Sequence, residues 1–459
     1  MTIHNDSQGE SYHLPPKAAL EPKDAGEVLK IGIIGAGIGG LMAAVTLLKS
    51  GHDVEIFEKS RFKSEVGAAI CAPPNSSRVL AYYGFDFERA RATTAESFIL
   101  YSDPSNLDAK KVIPWTDFTP KYGAPWYFFH RVDLHSELRK MATEPTATRS
   151  QTARIHLGTS VSRVDENGTI HFEDGTSIQK DVVIAADGIR SSFLSSVVKN
   201  AAPPRHHMSI LRYMVPSKDL VGDPELTSFF EDGWASIRAI DQNDKRAVIY
   251  GCRGGSLQNI GLVYPPQLSM DANGMFEPSH MILDRCRSFA FVGTGNDISG
   301  KEDFANRVIA EFPKAVQSVC RQAQGVGQWN LFTRKPLERL TRGRVVVIGD
   351  AAHPMPPLRA QGAAMAIEDA AALGVLLSDI GSKEDISARL DMFNELRLKR
   401  VAATQTLSYD HKWDPAQLSE EQRGYFDGKV PQTEDDVDSY SFQYDVVRDA
   451  LKLLQDHRQ

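Results

Sequence analysis

Three short segments carry residue types that handle phosphates, ribose hydroxyls and charge. The first is Gly35-Ala36-Gly37-Ile38-Gly39-Gly40, with Glu58 about 23 residues beyond its first glycine. In such a run the first glycine permits a tight turn, the second lets the backbone approach a diphosphate, and the third lets helix and strand pack closely. Free N–H groups at the start of the helix attract anions, and a carboxylate at the end of the next strand suits an adenosine ribose. The second segment is Ala185-Ala186-Asp187-Gly188-Ile189-Arg190-Ser191, and the third is Gly349-Asp350-Ala351-Ala352-His353-Pro354. Both place an acid and a glycine at the end of an apolar run. Asp350 follows a stretch of β-branched strand residues, where a carboxylate is expensive unless something satisfies it.

The elements that must position these groups read as an opening βαβ unit: strand 29–34, helix 41–49 and strand 54–57. Residues 67–75, rich in Gly, Ala and Pro, read as a loop over the bound nucleotide, and 76–83 as a helix. Further along come a helix over 131–141, strands 155–164 and 169–172 around an Asn167-Gly168 turn, and a strand over 181–186. Between 208 and 296 lie strand-length segments at 228–230, 247–251 and 260–264. The first pattern then returns, with a strand at 344–348 and a small-residue helix at 360–377 that must pack against something flat. The reading is an α/β Rossmann-like nucleotide-binding domain built from 29–97, 129–207 and 297–400. Into it is inserted an α+β, sheet-based substrate domain of 98–128 and 208–296. Residues 1–28 form a flexible arm, and 401–459 a helical or irregular C-terminal extension. The acids Glu434, Asp435, Asp436 and Asp438 mark that extension as solvated surface.

A chain of 459 residues with net charge −7 has no electrostatic reason to bind nucleic acid. Cys71, Cys252, Cys286 and Cys320 are too widely spaced for a metal motif or a disulfide framework and read as reduced thiols in the cytoplasm. No apolar run is long enough for a membrane span, and the start of the chain lacks the pattern of a signal peptide.

With GxGxxG, DG and GDAAH segments in this order, residues 30 to 400 closely resemble the class A FAD-dependent aromatic hydroxylases of the para-hydroxybenzoate and salicylate hydroxylase type. The resemblance implies non-covalent FAD, with Gly35, Gly37 and Gly40 at the diphosphate and Glu58 at the adenosine ribose. It adds Lys59, Ala69 and Arg131 as cofactor contacts, and Asp187 as an aspartate serving both FAD and the pyridine nucleotide. Asp350 is placed at the ribityl hydroxyls or the nearby phosphate, and Pro354 beside the flavin. Gln361, Gly362 and Ala363 present N–H groups to the flavin pyrimidine. Arg359 departs from the family pattern, which has an apolar or small residue there. His353 reads as a residue that ties the loop together rather than a catalyst.

The chain has one glycine-rich fingerprint, so NADPH or NADH is expected as a transient reductant outside a dedicated nucleotide domain. The resemblance implies a single-component monooxygenase that forms a flavin C4a-hydroperoxide and hydroxylates a phenolic or heteroaromatic small molecule. Its catalytic residues would be Arg212 and Tyr250, matching an arginine and a tyrosine that hold a phenolate in dearomatising phenol hydroxylases. Pro73-Pro74-Asn75-Ser76-Ser77 extends the likeness to the salicylate branch and favours a free substrate. Dearomatisation, oxidative decarboxylation, alkene epoxidation and a non-hydroxylating FAD oxidoreductase stand as alternatives. A halogenase would carry a WxWxIP segment, which is not found. Expected partners are the aromatic substrate, O2 and NAD(P)H, with no metal, in a monomer or homodimer.

Overall fold

Runs of β-branched residues that stop at glycine form the centre of the molecule. In the computed structural model, which describes residues 26–61, 68–147, 149–269, 305–323 and 326–457, strands Lys30–Ile34, Asp53–Glu58, Val182–Ala185 and Val345–Val347 lie parallel in one sheet. Arg154–Leu157 extends it beyond Asp53–Glu58, and Thr341–Arg342 adds an antiparallel edge at the other end. Both ends of the sequence therefore meet in one sheet. The three acid-bearing segments all leave it at the carboxyl ends of strands, where open parallel sheets bind ligands.

Helix Ile38–Lys49 packs on this sheet and against helix Gln361–Leu376. The second helix is rich in small residues because it rests on the first helix, not on a flat surface. A Cβ on Gly374 would come 2.6 Å from Thr46 Cβ. The hydroxyls of Thr46 and Ser50 donate to Ala370 O and Gly374 O at 2.7 and 2.6 Å.

The second large sheet runs in the order 326–333, 205–216, 257–264, 245–252, 237–242, 97–101 and 110–114. Side chains alternate across it. Leu211, Tyr213, Val215, Ile249, Ile260 and Leu262 bury one face in a core shared with helices Pro224–Phe229 and Lys314–Arg321. The other face carries Arg212, Met214, Val248, Tyr250 and Asn259. Asn259 Oδ1 accepts from Ala69 N at 3.3 Å and so ties this face to the small sheet of Ala69–Ala72, Tyr127–His130 and Thr93–Thr94.

Several expectations change. Residues 69–72 form a strand rather than a loop, because they pair antiparallel with Tyr127–His130; Gly67 lies outside the described residues. Residues 224–229 form a helix where a strand at 228–230 is expected from apolar content. Pro224 sits at its first position, the Asp223 side chain accepts from Glu225 N, and Leu226 and Phe229 fall on one helical face. The segment 155–164 breaks at Gly158, whose φ is +70°, so Arg154–Leu157 joins the parallel sheet and Val161–Val164 a three-stranded one. Strand Val326–Thr333 pairs with Arg205–Pro216, which puts it in the sheet of the inserted region and not with the nucleotide-binding segments. Residues 1–25, 270–296 and Cys286 lie outside the described residues.

The C-terminal extension is not a solvated surface appendage. Helix Ile386–Ser408 runs through position 401, and helices Glu434–Phe442 and Val446–Asp456 follow. Val446, Val447, Ala450 and Leu454 belong to the main core, while Phe442 packs among Phe118, Tyr122 and Trp126. The acidic run is the first turn of a helix capped by Thr433, where carboxylates are favoured by the exposed N–H groups. Its hydrophobic partners are far away in sequence, which hid the role of this segment.

Candidate active site

Each glycine of the opening turn meets a different neighbour. Gly35 has φ +99°, and a Cβ there would lie 2.6 Å from Ala186 O. A Cβ on Gly40 would collide with Gly35 O. Gly37 differs, because nothing lies within 4 Å of where its Cβ would be. The backbone at Gly37 is therefore open to a ligand. Glu58 braces the turn, its Oε2 accepting from Ala36 N at 2.8 Å and its Oε1 from Ser60 N at 2.6 Å. Each carboxylate oxygen keeps a further lone pair for a hydroxyl donor. His135, which sequence patterns do not single out, donates from Nε2 to Ala36 O at 2.7 Å from the neighbouring helix.

The charged groups around the cleft are under-satisfied. Asp350 is exposed, yet its carboxylate accepts no hydrogen bond from the described residues. Desolvation by the surrounding protein raises its pKa, opposed by the charges of His353 and Arg131. Arg131, first residue of helix Arg131–Thr143, uses its backbone N–H on Ala68 O. Its guanidinium makes no ion pair or hydrogen bond among the described residues, and it is close enough to Arg212 to depress that pKa. Asp187 Oδ2 accepts from Ser192 N at 2.9 Å, while Oδ1 is buried without a partner. Burial raises the Asp187 pKa, and exposed Lys59 is near enough to oppose the rise.

Ala360 turns the chain into helix Gln361–Leu376 in the left-handed region, at φ +55°. The first N–H groups of this helix, those of Gln361, Gly362 and Ala363, have no intrahelical acceptors. Gln361 is buried; its Oε1 accepts from Asn75 Nδ2 at 3.1 Å and its Nε2 has no partner. Pro354 is buried, its carbonyl accepting from Gln405 Nε2 at 3.2 Å. Arg359 pairs with Glu434 and donates to His411 O at 3.1 Å. Its departure from the family pattern thus serves to clamp the C-terminal segment beside this helix start.

Beneath the helix lies a network that motif reading missed. Asp369 Oδ2 takes a bond from Gly349 N at 3.0 Å and lies 2.6 Å from His353 Nε2, while its Oδ1 accepts from Arg397 Nε at 2.9 Å. Glu368 accepts from Arg397, Arg400 and Asn75 at 2.6, 3.2 and 2.6 Å. The acids and arginines sit on two adjacent helices, so the signal available in sequence was a Glu-Asp pair at two positions of an otherwise small and apolar helix. His353 ties the loop after Asp350 to this network.

On the sheet face above, Arg212 stands between Gly261 and Gly327 on the two neighbouring strands. The Trp329 ring lies over Gly327 and Ile210 against Gly261; the Arg212 guanidinium has no ion pair among the described residues and lies 5.4 Å from the Trp329 ring. Burial lowers the Arg212 pKa. Burial also holds the Tyr250 phenol well above its usual range, the neighbouring Cys71 thiol adding to the rise and the charge of Arg212 opposing it. Its ring packs 4.8 Å from Phe128, in a cluster with Trp126, Phe118 and Phe442. The structure therefore brings Tyr250 and Arg131 within electrostatic reach of Arg212, and Arg131 within reach of Asp350. Lys59, Glu58 and Asp187 lie farther along the carboxyl edge of the parallel sheet.

The open backbone at Gly37, the unsatisfied acids Asp187 and Asp350 and the free helix start fit the diphosphate, hydroxyls and ring of a flavin dinucleotide. Fold and site together define a flavin-dependent oxidoreductase. The chain belongs to the FAD binding domain family, whose profile matches residues 28–408. It is 32% identical over 440 residues to the FAD-dependent monooxygenase cfoG of Aspergillus candidus, covering 93% of this chain and 95% of that protein. It is 30% identical over 400 residues to hispidin-3-hydroxylase of Neonothopanus nambi, covering 84% and 89%. Its fold matches that of a salicylate hydroxylase substrate complex with a TM-score of 0.67 at 23% identity, covering 93% of this chain and 98% of the other. The chain is accordingly an enzyme, an FAD-dependent monooxygenase drawing electrons from NAD(P)H. Among the described residues no helix is long and apolar enough to cross a membrane, and no group of side chains suits a metal ion.

Proposed function

We propose that this enzyme hydroxylates a phenolic or heteroaromatic small molecule bound between the flavin and the sheet face that carries Arg212 and Tyr250. The single observation behind this reading is Arg212, a half-buried cation with no acidic partner among the described residues, whose pKa is lowered by desolvation on that face. A desolvated charge of this kind asks for an anion. A phenolate or ring carboxylate supplies one, and the surrounding aromatic cluster suits a planar ring. By its name, the 3-amino-4-hydroxybenzoate 2-monooxygenase of Streptomyces cremeus, 30% identical over 385 residues, acts on a hydroxylated ring carboxylate.

When bound, FAD supplies the redox centre that accepts a hydride from NAD(P)H and activates O2. Substrate, O2, NAD(P)H and a proton become hydroxylated substrate, water and NAD(P)+. The protein's part is to hold the cofactor and to make the ring electron-rich. Gly37 admits the diphosphate in the turn that Gly35 and Gly40 permit, Glu58 takes the ribose hydroxyls, and Lys59 and Asp187 flank the same edge. Ala69 and Pro354 form walls, Arg131 and Asp350 hold the ribityl and phosphate region, and the N–H groups of Gln361, Gly362 and Ala363 face the pyrimidine. Arg212 stabilises the substrate oxyanion through a rigid fork of donors. Tyr250, held neutral by its raised pKa, donates to the same oxygen. The buried free thiols Cys71, Cys252 and Cys320 favour a reducing, cytoplasmic setting, and we assign the enzyme as a monomer or homodimer there.

The test is substrate-dependent NAD(P)H oxidation, with product analysis, across a panel of phenols and hydroxylated heteroaromatics. Arg212→Ala and Tyr250→Phe are expected to keep their FAD and lose about ten- to hundredfold in kcat/KM, as removal of a charge-assisted hydrogen bond does. Full turnover in both variants across pH would refute the assignment.

A further inference from the structure

Beside the cofactor cleft lies an open surface pocket that the flavin reading does not use. It has a volume of about 200 Å3 and is lined by the chain that follows Asp187 and by Arg334. Arg334 lies at its floor and is only 7% exposed. One of its five N–H groups donates to Ala351 O at 3.0 Å, while Nε is buried without a partner. No carboxylate among the described residues pairs with it, and burial lowers its pKa unopposed. Clamping Ala351 explains a single donor and leaves a desolvated charge without compensation, which proteins rarely tolerate.

The rest of the lining has matching chemistry. Ser192, Ser195 and Lys199 are exposed at the mouth, and Lys199 makes no ion pair among the described residues. From Gly188 to Arg205 the sequence contains Arg190, Lys199 and Arg205 and not one Asp or Glu, in a chain whose net charge is −7. This stretch is therefore basic within a chain that is acidic overall, with the Asp187 carboxylate at its start bound to Ser192 N. Two charges and several hydroxyls around a small cavity suit a compact dianion better than a carboxylate or a neutral ligand.

We propose that this cavity is a phosphate-binding site, with Arg334 at its floor and Lys199, Ser192 and Ser195 at its mouth. Its walls are tied to the cofactor cleft, since Ser192 N donates to Asp187 and Arg334 holds the residue after Asp350. On the enzyme reading above, the phosphate is carried by the pyridine dinucleotide reductant. A free phosphorylated metabolite is the other source of the same chemistry.

The experiment is calorimetric titration of the FAD-loaded enzyme with inorganic phosphate and with adenosine 2′,5′-bisphosphate, followed by steady-state kinetics with NADPH and NADH. Wild type is expected to bind both probes. Lys199→Glu, a surface change, is expected to keep the flavin spectrum and melting temperature and to weaken both by about tenfold or more. Arg334→Gln serves as a second variant at the floor. A matching rise in KM for NADPH, with kcat and the KM for NADH unchanged, identifies the reductant as the source. Lost phosphate binding with unchanged NADPH kinetics identifies a free metabolite. No phosphate binding by wild type, or equal affinity in both variants, overturns the proposal. Phosphate binding by a protein that oxidises neither reductant would leave this site standing while the enzyme reading fell.

Discussion

Two groups of the same residue types meet at helix Gln361–Leu376 and behave in opposite ways. Beneath it, Glu368, Asp369, Arg397 and Arg400 are fully buried and saturate one another with hydrogen bonds. In front of it, Asp350, Arg131 and Arg212 share one region and have no ion pair or hydrogen bond to one another. The first group is closed: its Coulomb energy is used to fix helix to helix and to hold the Gly349 turn and His353. The second is open, its carboxylate and guanidinium groups having no ion pair among the described residues. What separates structure from function here is therefore the state of satisfaction of charged residues, and not their type or burial.

The largest effect should come from breaking the closed group. Arg397→Met leaves Glu368 and Asp369 short of a cation and is expected to destabilise the protein by about 3–5 kcal/mol, read by urea unfolding of the holoenzyme. A loss under about 1 kcal/mol would mean that the network is dispensable. In the open group, Asp350→Ala should weaken FAD binding by about 1.5–3 kcal/mol, near ten- to hundredfold in Kd, while urea unfolding of the apoprotein stays as in wild type. A loss of apoprotein stability instead would move Asp350 into the structural class.

The acid limb of stability sharpens the contrast. The charges of His353 and Arg397 outweigh burial and hold the Asp369 carboxyl down to about 2, from 3.8. A depressed acid stabilises the fold above its unfolded pKa, and the gain is lost as pH falls from about 4 to about 2. The shift corresponds to about 2 kcal/mol, so Asp369→Asn should flatten acid unfolding over that window. Asp350, whose pKa is raised, should show no such loss when FAD is absent.

Asp438 supplies the smallest test. Burial pushes it up to about 7, and its neighbours Arg359, Glu434, Lys121 and Asp435 nearly balance. A raised acid penalises the folded state once pH exceeds its unfolded pKa, so stability falls as pH rises from about 4 to about 7. Asp438→Asn should therefore stabilise the protein by about 1 kcal/mol at pH 8, with water at this half-buried side chain trimming the effect, and leave it unchanged at pH 4. Equal melting temperatures at both pH values would place Asp438 in bulk-like solvent.

The dinucleotide half of the fold was legible because its signals are local. A strand, a glycine turn, a helix and an acid lie within about thirty residues, and Gly35, Gly40 and Gly37 have the close or open surroundings that their spacing implies. Asp187 and Asp350 were visible for a related reason, since an acid at the end of a buried strand is costly wherever the chain goes. Strand 326–333 and helix 224–229 were misread, and the core packing of the two last helices was missed, because their partners are distant. The sequence 434–438 is acidic whether it floats in water or caps a helix whose Phe442 reaches the aromatic cluster.

By itself, then, the sequence determined the cofactor-binding turn, the order of the flavin segments and the chemical class of the protein, because backbone sterics and single-residue desolvation act over a few positions. The tertiary structure alone decided which charges are spent on one another and which remain for a ligand. Glu368 and Asp369 meet Arg397 only when two helices pack, and Arg212 has no acid among its described neighbours, Gly261 and Gly327 standing beside it on separate strands. Satisfaction of a charge is a property of the atoms within a few ångströms of it, and those atoms come from residues that no spacing in the chain brings together.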